Sequence, residues 1–150
     1  MKKNIIAIAC DHAGVELKSF IVSQIENLGF DVLDLGTNDA NSVDYPDYAY
    51  KLSNKIQSKE AEKGVLICGT GIGISIAANR NPNIRAALCH NELTAKLARE
   101  HNDANVLVLG ARIIDQQTAI ECLKAFLKTD FLAGRHANRV EKLSKIIGDV

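Results

Sequence analysis

No charge of either sign dominates this chain: 18 lysines and arginines balance 18 aspartates and glutamates. A general nucleic-acid binder needs a strong positive field, so that class is excluded, although a local basic pocket is not. Long hydrophobic runs are missing too, and no stretch approaches the ~18 apolar residues of a membrane span. Cys-x-x-Cys is absent. The four cysteines, Cys10, Cys68, Cys89 and Cys122, lie far apart, and no closely spaced histidine pair accompanies them. That argues against a zinc site, and no metal is expected. Disulfides are not expected in a chain that is 47% hydrophobic and shows no secretory signal.

One segment imitates such a signal. Lys2-Lys3, then Ile5-Ile6-Ala7-Ile8-Ala9-Cys10, looks like a short export signal ending in a lipid-modified cysteine. Its apolar stretch is shorter than the ~7–15 residues of a signal core and runs straight into helix-forming sequence. It reads as a first core strand, and the expected location is the cytoplasm.

Two nucleotide-binding fingerprints are also missing. No Gly-Lys-Ser/Thr occurs near the glycines at 69–73, and lysine is absent from 65 through 95, which excludes a P-loop. The glycine spacing is G-x-G-x-G in mid-chain, not G-x-G-x-x-G in a first unit.

What the chain does have is alternation. Its 150 residues, 24% of them charged, suit one domain over 1–150. Strands are expected at 4–10, 30–35, 64–68, 85–89 and 105–109. Helices are expected near 14–28, 47–58, 72–80, 92–101, 115–128 and 134–147. Val15, Phe20, Ile21, Ile25 and Leu28 share one side of the first helix, and Gly29 ends it as a left-handed cap. Asp47 is placed to cap the second. The first four strands read as nearly all apolar, as strands buried on both faces should. The predicted fold is α/β: a Rossmann-like three-layer sandwich, a five-stranded parallel sheet with helices on both faces and an extra C-terminal helix.

The most informative stretch is 66–75, Leu-Ile-Cys-Gly-Thr-Gly-Ile-Gly-Ile-Ser. It reads as a buried strand, a tight turn and a helix start. Glycine permits φ > 0 and close ligand approach. Amides at the turn can act as anion donors, beside a thiol that a helix start pushes toward thiolate. A cysteine at a strand end is ordinarily inert core, so this segment alone leaves chemistry open.

Other reactive residues share an address with it. In open α/β sheets, ligands bind at the carboxyl ends of strands. Strand one ends in Asp11-His12, strand four in His90-Asn91 and strand five in Gly110-Ala111-Arg112. On the last helix Arg135 and Arg139 are four apart, hence on one face, and could grip a phosphate. A solvated basic face continuing through Lys142 and Lys145 fits the same pattern. Asp44-Tyr45-Pro46-Asp47 is most simply a turn into a helix, from which Tyr45 could reach a ligand.

Taken together these pieces resemble type B ribose-5-phosphate isomerase, in the family of sugar-phosphate isomerases that includes galactose-6-phosphate isomerase. The resemblance runs over essentially the whole chain. It rests on Ala9-Cys10-Asp11-His12-Ala13-Gly14, Asp44-Tyr45-Pro46-Asp47, Cys68-Gly69-Thr70-Gly71-Ile72-Gly73 and Ser75-Ile76-Ala77-Ala78-Asn79. It also rests on His101-Asn102-Asp103-Ala104-Asn105-Val106, Leu109-Gly110-Ala111-Arg112 and Arg135-His136-x-x-Arg139.

The resemblance implies cofactor-free interconversion of ribose 5-phosphate and ribulose 5-phosphate. It implies that Cys68 is the base between C1 and C2 and that His101 opens the furanose ring. Thr70 goes with this catalytic pair. Asp11, His12, Tyr45, Gly69, Thr70, Gly71, Ile72, Gly73, Asn102, Arg112, Arg135 and Arg139 would bind substrate. One branch of the family carries a glutamate in the glycine loop; 69–75 has no acid, which points to the cysteine branch. The chemistry agrees: an enediolate needs donors already in place, and ring opening suits a group that exchanges protons near neutrality.

One geometric difficulty implies an oligomer. His101 precedes strand five and Arg112 follows it, and a five-residue strand spans roughly 17 Å. A site shared between the subunits of a homodimer, or of a dimer of dimers, resolves this, with His101 or the arginines crossing over. Expected partners are a phosphorylated sugar and a second copy, with no nucleic acid and no membrane. The alternatives are an isomerase of allose 6-phosphate or galactose 6-phosphate, or a non-catalytic nucleotide-binding module on the same sheet.

Overall fold

The computed structural model describes residues 4–145. Strand β1 (Ile5–Cys10) leads through a 3₁₀ turn (His12–Gly14) into α1 (Val15–Asn27) and β2 (Asp31–Asp34). Then come α2 (Tyr45–Gln57), β3 (Lys63–Cys68), α3 (Ile72–Ala78) and β4 (Ala86–Leu88). The chain continues through α4 (Glu92–Asn102), β5 (Val106–Gly110), α5 (Gln116–Lys128) and α6 (Arg135–Leu143). Residues 146 and 147 of the expected last helix lie outside the described residues.

The strands form one parallel sheet in the order β2-β1-β3-β5-β4. Side chains alternate across it with the period of a strand. Ile6, Ile8, Val65, Ile67, Leu107 and Leu109 face one way and meet Ile21 and Ile25 of α1 and Leu123 and Phe126 of α5. Ala7, Ala9, Leu66, Val106 and Val108 face the other way, toward Leu52 of α2 and Ile74 of α3. The result is the expected Rossmann-like three-layer sandwich. Helix α6 buries no residue and leans on α4 from outside.

The three central strands are buried on both faces, as the apolar runs predict, but the two edge strands differ. Asp31 and Asp34 of β2 are exposed, and β4 is only half-buried. An edge strand needs protection more than apolarity. The Asn79 side chain supplies it for β4: Ala86 N–H donates to Asn79 Oδ1 at 2.8 Å, and Asn79 Nδ2 donates to Ala86 O at 2.9 Å.

Helix ends follow capping chemistry with one correction. Gly29 has φ +91, and its amide donates to the Glu26 carbonyl, the left-handed close expected there. Asp47 does not cap α2. The helix begins two residues earlier at Tyr45, with Asp44 extended before it and Pro46 in the first turn, where the missing N–H costs nothing. Asp47 instead sits within that first turn, where a carboxylate complements the helix dipole. Lys18 is buried on α1, its Nζ within 2.8 and 2.7 Å of the two Asp34 carboxylate oxygens and 2.7 Å of Asn38 Oδ1. The bond ties α1 to the exit of β2. No helix of the described residues is long and apolar enough to cross a membrane.

Gly14 lets α1 start hard against the sheet. A Cβ there would lie 2.7 Å from Ile67 Cγ2 and 2.9 Å from Cys10 Cβ, both in the packed core. Gly14→Ala is therefore expected to lower stability by about 1–3 kcal/mol, seen as a lower urea midpoint at unchanged m.

Candidate active site

The carboxyl ends of β1, β3 and β5 stand side by side. Asp11 follows β1, its amide donating to Ile67 O at 3.1 Å. The residue is 7% exposed, and its carboxylate accepts from Ala13 N–H at 3.0 Å, closing the 3₁₀ turn. Beside it, His12 Nδ1 accepts from Val43 N–H at 3.2 Å. In the neutral ring the proton then sits on Nε2.

Cys68 ends β3 opposite Gly110 of β5. Its sulfur is buried under the glycine turn and accepts from the Gly71 amide at 3.1 Å. Gly71 has φ +80, and Leu88 Cδ1 and the Leu109 carbonyl carbon occupy the space a Cβ would need. Ile72 N–H donates to Thr70 Oγ1 at 3.2 Å. The amides of Gly71 and Ile72, expected to face a ligand, are thus turned onto side chains: one onto the sulfur, one onto the threonine hydroxyl. The exit of β5 holds the turn in place. Ala111 N–H donates to Cys68 O and Arg112 N–H to Gly69 O, both at 2.9 Å.

Two side chains close over this turn. The Arg112 guanidinium lies over Gly69, with Nη1 3.0 Å from where a Gly69 Cβ would be. The Tyr45 ring lies over Gly73, 2.6 Å from the corresponding point. Asp11, His12, Tyr45, 68–73 and Arg112 therefore share one end of the sheet. His90 is exposed nearby, and Asn91 caps α4 by accepting from Thr94 N–H at 2.9 Å.

The other three thiols belong to the core. Burial pushes Cys10 up to about 12, and burial with Cys89 nearby pushes Cys122 up to about 12. Burial also raises Cys89.

The remaining predicted residues lie elsewhere. His101 and Asn102 end α4, which runs back toward the amino edge of the sheet, just before β5. There the His101 ring stacks on His136 of α6, centroids 4.3 Å apart and planes 15° apart. A cavity of about 310 Å³ opens beside the stack, lined by His101, Asn102, His136, Arg139, Val140 and Leu143. Arg135 is exposed on the same helix. Arg99, 6% exposed, fixes the approach to α6: its Nε donates to Thr129 O at 3.1 Å and its Nη1 to Ala104 O at 2.6 Å and Asp103 Oδ1 at 2.8 Å. Leu132 N–H adds a bond to Glu100 O at 3.1 Å.

One chain thus carries two separate clusters, with the length of β5 between them. The sequence motifs include His136 without giving it a role, and they mark neither the Val43 amide nor Leu88. His136 was flanked by two predicted residues, but nothing local shows that it meets His101.

The profile of the ribose/galactose isomerase family matches residues 6–143. The chain belongs to that family. Ribose-5-phosphate isomerase B of Escherichia coli is 43% identical over 97% of each chain. Among solved structures, a ribose 5-phosphate isomerase of Thermotoga maritima superposes with a TM-score of 0.93 at 48% identity, covering 97% of this chain and 100% of that one. Ribose 5-phosphate isomerase B of Anaplasma phagocytophilum is 52% identical with a TM-score of 0.88, over 95% of this chain and 98% of that one. The chain is accordingly an isomerase, on the fold these proteins share.

Two glycines of the site differ in what they would strike. A Cβ on Gly110 would meet Thr70 O at 2.5 Å, which is backbone and cannot swing aside, whereas Gly73 faces the end of the exposed Tyr45 side chain. Gly110→Ala is expected to cost about 1–3 kcal/mol and displace the turn, while Gly73→Ala moves the tyrosine at under about 1 kcal/mol. Urea unfolding of both variants checks the order.

Proposed function

We propose that the protein interconverts ribose 5-phosphate and ribulose 5-phosphate, with Cys68 as the carbon base and His101 opening the sugar ring. The observation that carries this reading is the Gly71 amide aimed at the Cys68 sulfur at 3.1 Å, at the carboxyl edge of a central strand. An N–H donor there complements a sulfur that carries negative charge during the reaction. The Escherichia coli relative, a ribose-5-phosphate isomerase B, supports the substrate.

His101 takes the proton from O1 of the furanose, C1–O4 breaks, and the ring oxygen gains a proton to become the C4 hydroxyl. The aldehyde now has an acidic C2–H. The Cys68 thiolate removes that proton, and its electron pair forms C1=C2 as the C1 carbonyl becomes an oxyanion. Thr70 Oγ1 already accepts from Ile72 N–H, and its own hydrogen remains to be donated to an enediolate oxygen. The proton on O2 passes to O1, and the Cys68 thiol returns its proton to C1. C2 becomes the ketone. Electrons move only within the sugar, so the sequence of steps calls for no cofactor.

Asp11, His12, Tyr45, Asn102 and the turn 69–73 hold the sugar, and Arg112, Arg135 and Arg139 bind its phosphate in fork geometry. Binding energy from the phosphate then positions the reacting carbons. These groups meet only if His101, Asn102 and α6 of a second copy reach the carboxyl edge of the first. The minimum assembly is therefore a homodimer with shared sites. Exposed Ile72, Ile76, Leu93 and Ile113 near that edge give it an apolar face to bury. The cytoplasm suits a chain whose four cysteines are all free.

Deuterium exchange at substrate C2 tests the base. Wild type should wash label in, and Cys68→Ser should be slower by about 10²–10⁴-fold. Iodoacetamide should label Cys68 alone in the folded protein and abolish turnover; full activity after labelling removes the proposed base. The purified chain should prefer ribose 5-phosphate to allose 6-phosphate and galactose 6-phosphate, and the reverse preference defeats the pentose assignment.

Subunit exchange tests the shared site. Mixing inactive Cys68→Ala with inactive His101→Ala should restore roughly a quarter of wild-type turnover, because half the dimers are mixed and each carries one intact site. No recovery means that both residues act within one chain.

A further inference from the structure

We propose that His136 is a positioning residue for His101, fixing the plane of its imidazole by stacking so that the ring meets the sugar oxygens in one orientation. The inference rests on the ring-opening role given to His101 above.

An acid–base histidine is usually oriented by a hydrogen bond to one of its nitrogens. His12 has such a bond, from the Val43 amide. Among the described residues no group hydrogen-bonds the His101 ring; its ring contact is the His136 face, 4.3 Å away and tilted by 15°. Stacking restrains the plane while leaving both nitrogens for the sugar. Ring opening has use for both, since one proton leaves O1 and another arrives at O4.

The stack is supported from behind. Arg99 to Thr129 and Leu132 to Glu100 anchor the segment between α5 and α6 on the last turn of α4, which sets His136 beside His101. Its charged surroundings favour one division of labour. Arg135 and Arg139 flank His136 on α6, and His101 faces it from α4. The nearby acids are engaged elsewhere: Glu100 lies 3.7 Å from Lys96, and Asp103 pairs with Arg99 and Arg85. Partial burial, then His101 and the two arginines, hold His136 below the ordinary histidine value. Two charged imidazoles in face contact would repel. His136 is therefore the member of the pair that resists a proton, which leaves it the stacking role.

The test separates ring chemistry from carbon chemistry. Ribulose 5-phosphate stays open-chain, because its C5 oxygen carries the phosphate and no furanose can close. Deuterium exchange at its C1 needs the base but no ring step. His136→Ala should lower kcat for ribose 5-phosphate by about ten- to a hundredfold, with KM and C1 exchange within about twofold of wild type. His136→Phe, flat but unable to titrate, should recover to within about threefold of wild type. Unchanged turnover in His136→Ala overturns the proposal. So does a parallel loss of C1 exchange, or a raised KM, either of which makes His136 a substrate ligand. A phenylalanine variant as slow as the alanine one overturns the stacking argument. If wild type neither isomerises ribose 5-phosphate nor exchanges C1 of ribulose 5-phosphate, the isomerase reading itself fails, and this inference falls with it.

Discussion

Two backbone hydrogen bonds, Ala111 N–H to Cys68 O and Arg112 N–H to Gly69 O, tie the exit of β5 to the exit of β3. The position of the Cys68 sulfur follows from them. Thr70 is pressed against Gly110 so closely that no side chain fits between, and Leu88 and the Leu109 carbonyl crowd Gly71 into its left-handed turn. With the turn so held, the Gly71 amide has one direction to point, and the sulfur lies in it. Glycine matters at these positions for the backbone approach it allows as much as for any ligand it admits.

The same sheet that builds this cluster separates it from the one on α4 and α6. A parallel strand leaves its carboxyl end where the next helix begins, and the helix returns the chain to the amino edge. His101 ends such a returning helix, while Arg112 and Cys68 follow strands. No local adjustment brings them together, because β5 is fully buried between β3 and β4. The cluster on α4 and α6 is nevertheless organised within one chain, through the buried Arg99 and the paired imidazoles. It is a finished structure that faces away from the Cys68 sulfur.

Much of this was legible in residue order. The central strands showed as apolar runs, and Gly29 closed α1 as its position implied. The glycine turn, with Asp11, His12 and Arg112 at neighbouring strand ends, stood out by shared address. Other features were not legible, for reasons that can be named. Residue order alone sets the start of α2 two positions late, because Asp44 and Asp47 are residues of the same capping type, and Pro46 suits the first turn of the earlier helix. Runs such as 30–35 and 85–89 read as buried strands because they do not show who their neighbours are; only the sheet order makes β2 and β4 edges. Turn amides were expected to face outward, yet two of them bond to nearby side chains.

Residue spacing by itself determined the alternation of strand and helix, the cysteine at the head of a glycine turn, and the family to which these motifs point. Each of these depends on neighbours a few positions apart, where backbone preference and side-chain period act directly. Tertiary structure alone decided which strands lie at the edges, that Val43 orients His12 from 31 residues away, and that His136 lies flat on His101. Those contacts form between segments that meet only after the core has packed, so no local pattern encodes them.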